Sequence, residues 1–294
     1  MLNIHEKILY ENDKGDRVEI SYNFPFFFQR LEGQDGLNSV IAKTKGQGQD
    51  GTTIEDISLS DRALQIQGVI QGQNKSELAQ SRQKLLKTFN PSVGGWLHYE
   101  YGNVKKKIYC TVENAPKFAR YQESFKRQSF LINLICPNPY WQDNNDIKTG
   151  IAYWSNLFEF PLEIPESGLE MGTRANSLIV NVKNNGDVEC GMTLEFKASA
   201  TVVNPIIINI NTQEYIKINK AMQVGEIITI NTHFNNKTVT SFVNGVKSNA
   251  FNYFDLNSTF MQLDVGDNLF RYDSEENINN LEVNIYYSPQ YLGV

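Results

Sequence analysis

Only one stretch of this chain carries a helical stripe; every other patterned stretch alternates with a period of two. Leu78, Leu85, Leu86 and Phe89 recur at helical spacing among Arg82, Gln83, Lys84 and Lys87, which predicts a helix over about 76–89. Asn74 or Ser76 can cap it, Glu77 completes a capping box with Asn74, and Asn90-Pro91 ends it. A lone helix among strands has to lay its stripe on a sheet, so Leu78, Leu85, Leu86 and Phe89 are the expected helix–sheet packing residues.

Before the helix, Ile8-Leu9-Tyr10 and Val18 to Tyr22 flank the turn-forming Asn12 to Asp16, a hairpin pattern. Phe24-Pro25-Phe26-Phe27-Phe28 reads as core filler, because large exposed apolar patches are rare. Residues 33–53 are polar and glycine-rich around a short apolar piece, Val40-Ile41-Ala42. Such a stretch buries little by itself and predicts a long arm or loop, centred on Gly46, Gln47, Gly48, Gln49, Asp50 and Gly51, that orders only against a neighbouring subunit. Leu64, Ile66, Gly68 and Ile70 then alternate as a strand. After the helix come a strand, a Gly102-Asn103 turn and a second strand whose Lys105-Lys106-Lys107 predict a solvated sheet edge rather than a nucleic-acid patch.

Phe130 to Ile135 is apolar on both parities, the mark of a strand covered on both faces. Cys136-Pro137-Asn138-Pro139 stops it, since neither proline donates to a ladder, and Tyr140-Trp141 follow. Cys136, Pro137, Pro139, Tyr140 and Trp141 are therefore the expected domain junction. The charge changes sign there: 18 basic and 15 acidic residues through Trp141, 9 and 18 from Gln142 onward. The expected division is 1–141 and 142–294.

The second half alternates at short intervals: Phe158, Phe160, Leu162, Ile164; Leu178, Val180, Val182; Met192, Leu194, Phe196; Ile206, Ile208, Ile210; Leu281, Val283, Ile285, Tyr287. Asn184 to Asp187, Asn244-Gly245 and Gly266 to Asn268 supply turns, which predicts a β-sandwich. The expected fold is thus mainly β: an N-terminal β-sandwich or barrel-like domain with one helix and an extended arm, then a second β-sandwich.

Motifs for catalysis do not accompany this pattern. The three histidines, His5, His98 and His233, stand apart from one another and from Cys110, Cys136 and Cys190, so no metal site is expected. Nucleophile elbows, phosphate loops and dinucleotide fingerprints do not occur. The widely spaced cysteines fit reduced, core-filling thiols. Glu163 with Glu166, and Asp264 with Asp267, fit solvated turns better than paired catalytic carboxylates or a calcium loop. No stretch is apolar for long enough to span a bilayer, and the N-terminus lacks a secretory pattern. A binding or assembly protein without cofactors is expected, not an enzyme.

The order of features resembles the distal tail protein (Dit) family of long-tailed bacteriophages and phage-like particles of Gram-positive hosts. It is carried by the aromatic strand pair, the arm Gly46 to Gly51, the helix ending Leu85 to Pro91, the Gly94-Gly95-Trp96-Leu97 strand, Cys136 to Trp141, and Tyr286 to Val294. The resemblance implies a homo-hexameric ring at the end of the tail tube, built by the first domain with its arm across the next subunit. It also implies a galectin-like second domain outside the ring that holds receptor-binding or other baseplate proteins. A tail-tip hub protein docks below, and DNA passes through the lumen with no sequence-specific recognition. Localisation in the virion tail, after assembly in the host cytoplasm, follows. The competing expectation is a cell-wall carbohydrate-binding module, with Trp154, Tyr253 and Phe254 of the second domain stacking on a sugar.

Overall fold

The computed structural model describes residues 6–119, 126–152, 154–156, 172–174 and 179–294. The expected strand from Phe158 to Ile164, Leu178, the pair Glu163 and Glu166, His5 and the side chain of Trp154 lie outside this description. Two compact units divide the chain: Met1–Asn144 together with Gln290–Val294, and Asn145–Pro289. The division falls three residues beyond Trp141, and the last five residues return to the first unit. Sequence order alone assigns them to the second.

The first unit contains β1 (Glu6–Asn12), β2 (Arg17–Ile20), β3 (Phe26–Glu32), β4 (Ser39–Thr44), β5 (Thr53–Leu59), β6 (Arg62–Gln71), α1 (Lys75–Thr88), β7 (Gly94–Tyr101), β8 (Val104–Phe118), β9 (Arg127–Cys136) and β10 (Trp141–Asp143). Its main sheet runs β2-β1-β7-β8-β9-β6-β3. The two ends meet where Ser21 N donates to Phe26 O and Phe28 N to Ser21 O, at 3.1 and 2.7 Å. The sheet thereby closes into a barrel-like body, which leaves few open edges. Period-two alternation in β6 and β9 sends Leu64, Ile66, Ile70, Phe130, Ile132 and Leu134 into one core with Ile8, Ile20, Phe26 and Phe28. Phe24, by contrast, is exposed.

Helix α1 begins at the expected cap. Glu77 N donates to Asn74 Oδ1 at 3.0 Å, and the Glu77 carboxylate accepts from Gln73 N and Asn74 Nδ2. Leu78, Leu85 and Phe89 are buried against the sheet, and Phe89 stacks on Tyr10 with ring centroids 4.3 Å apart. Leu86 is 41 % exposed, which corrects its assignment to the packing face. A helix turns about 100° per residue, so of two adjacent leucines only one can face the sheet. Leu85→Ala should therefore cost about 2–5 kcal/mol, whereas Leu86→Ala should shift stability by no more than about 0.5 kcal/mol. Urea unfolding of the two variants measures the contrast.

Lys105 to Lys107 do not form a solvated edge. Strand β8 is interior, with β7 on one side and β9 and β10 on the other. Lys106 Nζ donates to Asp143 Oδ1 at 2.6 Å, and Lys107 Nζ donates to the Asn144 carbonyl and lies over the Trp96 ring. Lys105 stays exposed beside Glu100, but the edge pattern misled for Lys106 and Lys107 because β10, which pairs with them, lies beyond the two prolines.

The second unit contains β11 (Ile147–Ala152), β12 (Trp154–Asn156), β13 (Gly172–Arg174), β14 (Ile179–Asn184), β15 (Met192–Ala198), β16 (Val202–Val203), β17 (Ile206–Asn209), β18 (Tyr215–Lys217), β19 (Ala221–Met222), β20 (Ile227–Asn231), β21 (Thr238–Val243), β22 (Val246–Asn249), β23 (Gly266–Asp273) and β24 (Leu281–Tyr287). Two larger sheets, β11-β24-β15-β20-β21-β22 and β14-β23-β17-β18, form a sandwich. Leu194, Phe196, Ile228, Ile230, Val283 and Ile285 of the first sheet share a core with Ile207, Ile216, Phe270 and Tyr272 of the second. Alternation decides this: the strands that carry these residues bury one parity and turn the other outward.

One buried carboxylate sits inside this sandwich. Burial of Glu226 by itself raises its pKa. Hydrogen bonds from Lys220 Nζ, Ser241 Oγ and Gln223 N outweigh it and hold the group below the usual glutamate range. Its stabilisation is thus full above the unfolded-state value of about 4.3 and is lost as pH falls through the lower folded value. Glu226→Gln should cost about 1–3 kcal/mol at neutral pH and flatten the acid limb of a melting-temperature profile.

The last strand, β25 (Gln290–Tyr291), pairs with β10 in the first unit. Gln142 faces Gln290 and Trp141 faces Tyr291.

Candidate assembly surface and its anchor

The predicted arm is a two-stranded ribbon. Among the described residues strands β4 and β5 pair only with each other, and all residues of both are exposed. The expected arm, 33–53, therefore stops halfway: its returning strand continues to Leu59. The glycine-rich run Gly46 to Gly51 is the tip rather than the body. There Gln49 N donates to Gly46 O, the Gln49 side chain accepts from Gly46 N and donates to Thr53 Oγ1, and Gly48 and Gly51 take positive φ. Those φ values explain two of the glycines.

The ribbon has unlike faces. Ile41 pairs with Ile57 and Lys43 with Ile54, the register slipping once between them at Glu55. Ile54 and Ile57 stand three residues apart and would point to opposite faces of a regular strand. The extra residue brings both to the face of Ile41. Leu59 shares that face through its pairing with Ser39. Ile41, Ile54, Ile57 and Leu59 thus form an apolar stripe in water, 39 %, 54 %, 59 % and 38 % exposed. The opposite face carries Ala42, Thr44, Thr53, Asp56 and Ser58, with Val40.

A buried arginine fixes the root of the ribbon. Arg62 is 2 % exposed. Its Nη1 donates to the carbonyls of Gly33 and Gln34 at 2.6 and 2.8 Å, its Nε to Pro139 O at 2.7 Å, and its Nη2 to Leu292 O at 2.5 Å. Trp141, fully buried, lies beside the guanidinium and donates its indole N–H to Gln34 O at 3.2 Å. One side chain thus ties the ribbon's root, the turn after β9 and the returning C-terminal residues. At Gly33 (φ +88°) a Cβ would stand 2.0 Å from Ala63 O, so glycine is required for the chain to pass Arg62. Burial lowers the Arg62 pKa, yet an arginine keeps its charge under all ordinary conditions.

Sequence reasoning passed over Arg62, although a signal was present. It stands two residues before Leu64 and four before Ile66, on the inward parity of β6. The expected junction residues divide differently. Cys136 is buried at the end of β9, Pro137 is exposed, Pro139 and Tyr140 are half-buried, and Trp141 belongs to the interior of the first unit. All three cysteines are free and buried. A hydrogen bond to Cys136 together with burial pushes the Cys110 thiol up, and burial pushes Cys190 to about 12. Both stay protonated and unreactive at neutral pH. Among the described residues no group of His, Cys, Asp and Glu is placed to hold a metal ion. No described helix is long and apolar enough to cross a membrane.

The comparisons with known proteins agree with this architecture. A phage tail protein RIFT-related domain matches residues 14–136, and the C-terminal domain of a siphovirus-type tail component matches residues 185–291. The fold is similar to that of the SPP1 Dit protein, described as a paradigm of the hub adsorption apparatus in Gram-positive infecting phages. The TM-score is 0.69 and the identity 13 %, over 97 % of this chain and 99 % of that one. A chain of the phage p2 baseplate, in its activated conformation with calcium or strontium, matches at TM-score 0.60 and 12 % identity, over 99 % of this chain and 100 % of that one. No curated protein sequence matches the chain. Both domain models, in this order on one two-unit β fold, define a structural component of a phage tail. The chain belongs to the Dit family of distal tail proteins.

Proposed function

We propose that this chain is the ring-forming hub of a long, tube-like phage tail. Six copies close head to tail around the tail axis, each laying its 39–59 ribbon on the next subunit. A heterologous contact repeated around an axis closes a ring when the rotation per subunit fits. The first unit builds the ring between the tail tube protein and the tail-tip hub, and DNA leaves through the lumen. The second unit, 145–289, holds receptor-binding or other baseplate proteins at the periphery. The ring is assembled in the host cytoplasm, and the chain carries no catalysis of its own.

The observation that carries this reading is the ribbon: fully exposed, apolar on one face, and rooted on a buried arginine. A stripe of four large aliphatic side chains in water is expected where a second surface covers it. The relatives described as hub and baseplate proteins support the same role. Negative-stain electron microscopy of the purified protein, alone and mixed with tail tube and tail-tip hub proteins, tests it. Rings of six are the expected result. Single two-lobed particles in every mixture would overturn it, and saturable binding of the chain to host cell wall would favour a glycan-binding module instead.

A further inference from the structure

The second half of the chain is acidic, yet residues 227–254 contain no Asp or Glu and two lysines, Lys237 and Lys247. Among the described residues, the ion pairs of the second unit use Lys197, Lys217, Lys220 and Arg271. Lys237 and Lys247 take part in none. Lys237 instead lies over the rings of Phe234 and Phe260, 5.7 and 5.5 Å from their centroids.

Both lysines border the β21–β22 hairpin, at a sheet edge that no described strand covers. Strand β22 is the last of its six-stranded sheet, and all its residues are exposed. It follows a two-residue turn, Asn244-Gly245, with φ +48° and +83°. Such a turn makes Val243 and Val246 the hydrogen-bonded closing pair, and bonding alternates along an antiparallel ladder. Val246 and Ser248 therefore bond to β21, while the N–H and C=O of Lys247 and Asn249 point away from the sheet. The side chains of Lys247 and Asn249 share the outer face with Phe242 and Thr240, their cross-strand partners. A pocket of about 330 Å³ lies at this hairpin, lined among others by Lys237, Thr240, Lys247, Asn249 and the half-exposed Phe251.

Resting on the tail-protein reading above, we propose that β22 is the docking edge for an extended acidic segment of another tail protein. The segment adds a strand beside Lys247 and Asn249, sets Asp or Glu against Lys237 and Lys247, and covers Phe251. The open backbone groups call for an extended partner, because only a strand meets a row of N–H and C=O groups in register. Charge selects it: Lys247 repels a second copy of the same edge and attracts carboxylates.

Zero-length carbodiimide coupling on assembled tails tests the proposal, because it joins an amine to a carboxylate in direct contact with loss of water. Mass spectrometry should find Lys247 or Lys237 joined to Asp or Glu of a different tail protein. The Lys237→Glu/Lys247→Glu variant should keep its melting temperature and retain that protein at least tenfold less, and Lys247→Arg should retain it. Coupling to a second copy of this chain, undiminished retention after charge reversal, or equal acetylation of Lys247 in free and assembled protein would each overturn it. Rings of six with Lys237 and Lys247 both uncoupled would sink this inference alone. Absence of rings together with absence of any bound tail protein would sink the hub reading as well.

Discussion

Arg62→Ala should destabilise the first unit by at least about 4 kcal/mol, which is large for a single substitution. Four hydrogen bonds from a charged donor disappear at once, and the carbonyls of Gly33, Gln34, Pro139 and Leu292 lose a buried partner. Arg62→Lys should recover little, because one ammonium cannot reach along three directions as a planar fork does. Urea unfolding measures the loss. Limited proteolysis supplies a second readout: residues 290–294 should become cleavable well below the global transition. A variant as stable as the parent would show that the four carbonyls find water instead.

The second large effect concerns assembly. Replacing 39–59 by a two-residue turn should leave a folded chain that forms no rings, with a melting temperature close to the parent's. The root supports this graft, since Asn38 O accepts from both Ser60 N and Ser60 Oγ. Ile54→Lys/Ile57→Lys is the milder version. Both positions are exposed, so stability should move by no more than about 0.5 kcal/mol per site, while ring formation should fall at least tenfold in an electron-microscopy count. Val40→Lys, on the opposite face, should matter far less. Rings that persist in the truncated chain would remove the ribbon from the interface.

The sequence displayed what repeats locally and hid what depends on distant partners. Period-two alternation announced β6 and most strands of the sandwich, an apolar run announced β9, though only one of its faces is fully buried, and the capping box placed the helix start. Leu86 was misread because it stands eight residues after Leu78 and three before Phe89, at the margin of the stripe, where the helical angle turns it outward while Leu85 is buried. The expected arm, ending at residue 53, omits the ribbon's second strand, since Ile54 and Ile57 are apolar and nothing local tells a core face from an interface face. Lys106 and Lys107 looked solvated for the complementary reason: Asp143, Asn144 and Tyr291, which meet them, come from far along the chain. Arg62 combined both difficulties, a charge on an inward parity with every partner a backbone carbonyl remote in sequence.

The return of residues 290–294 gives the second unit two covalent leads, at Asn144 and Gln290, that leave from one end of the same short ladder. A pull on that unit draws both leads the same way: the Asn144 lead passes its load into the covalent backbone of β10, and the Gln290 lead passes its load into the β10–β25 pairing. The Gln142–Gln290 rung bears tension first, then Trp141–Tyr291, and beyond them Arg62 on Leu292. The buried guanidinium, last along that path, is the anchor that keeps the returning residues seated in the first unit.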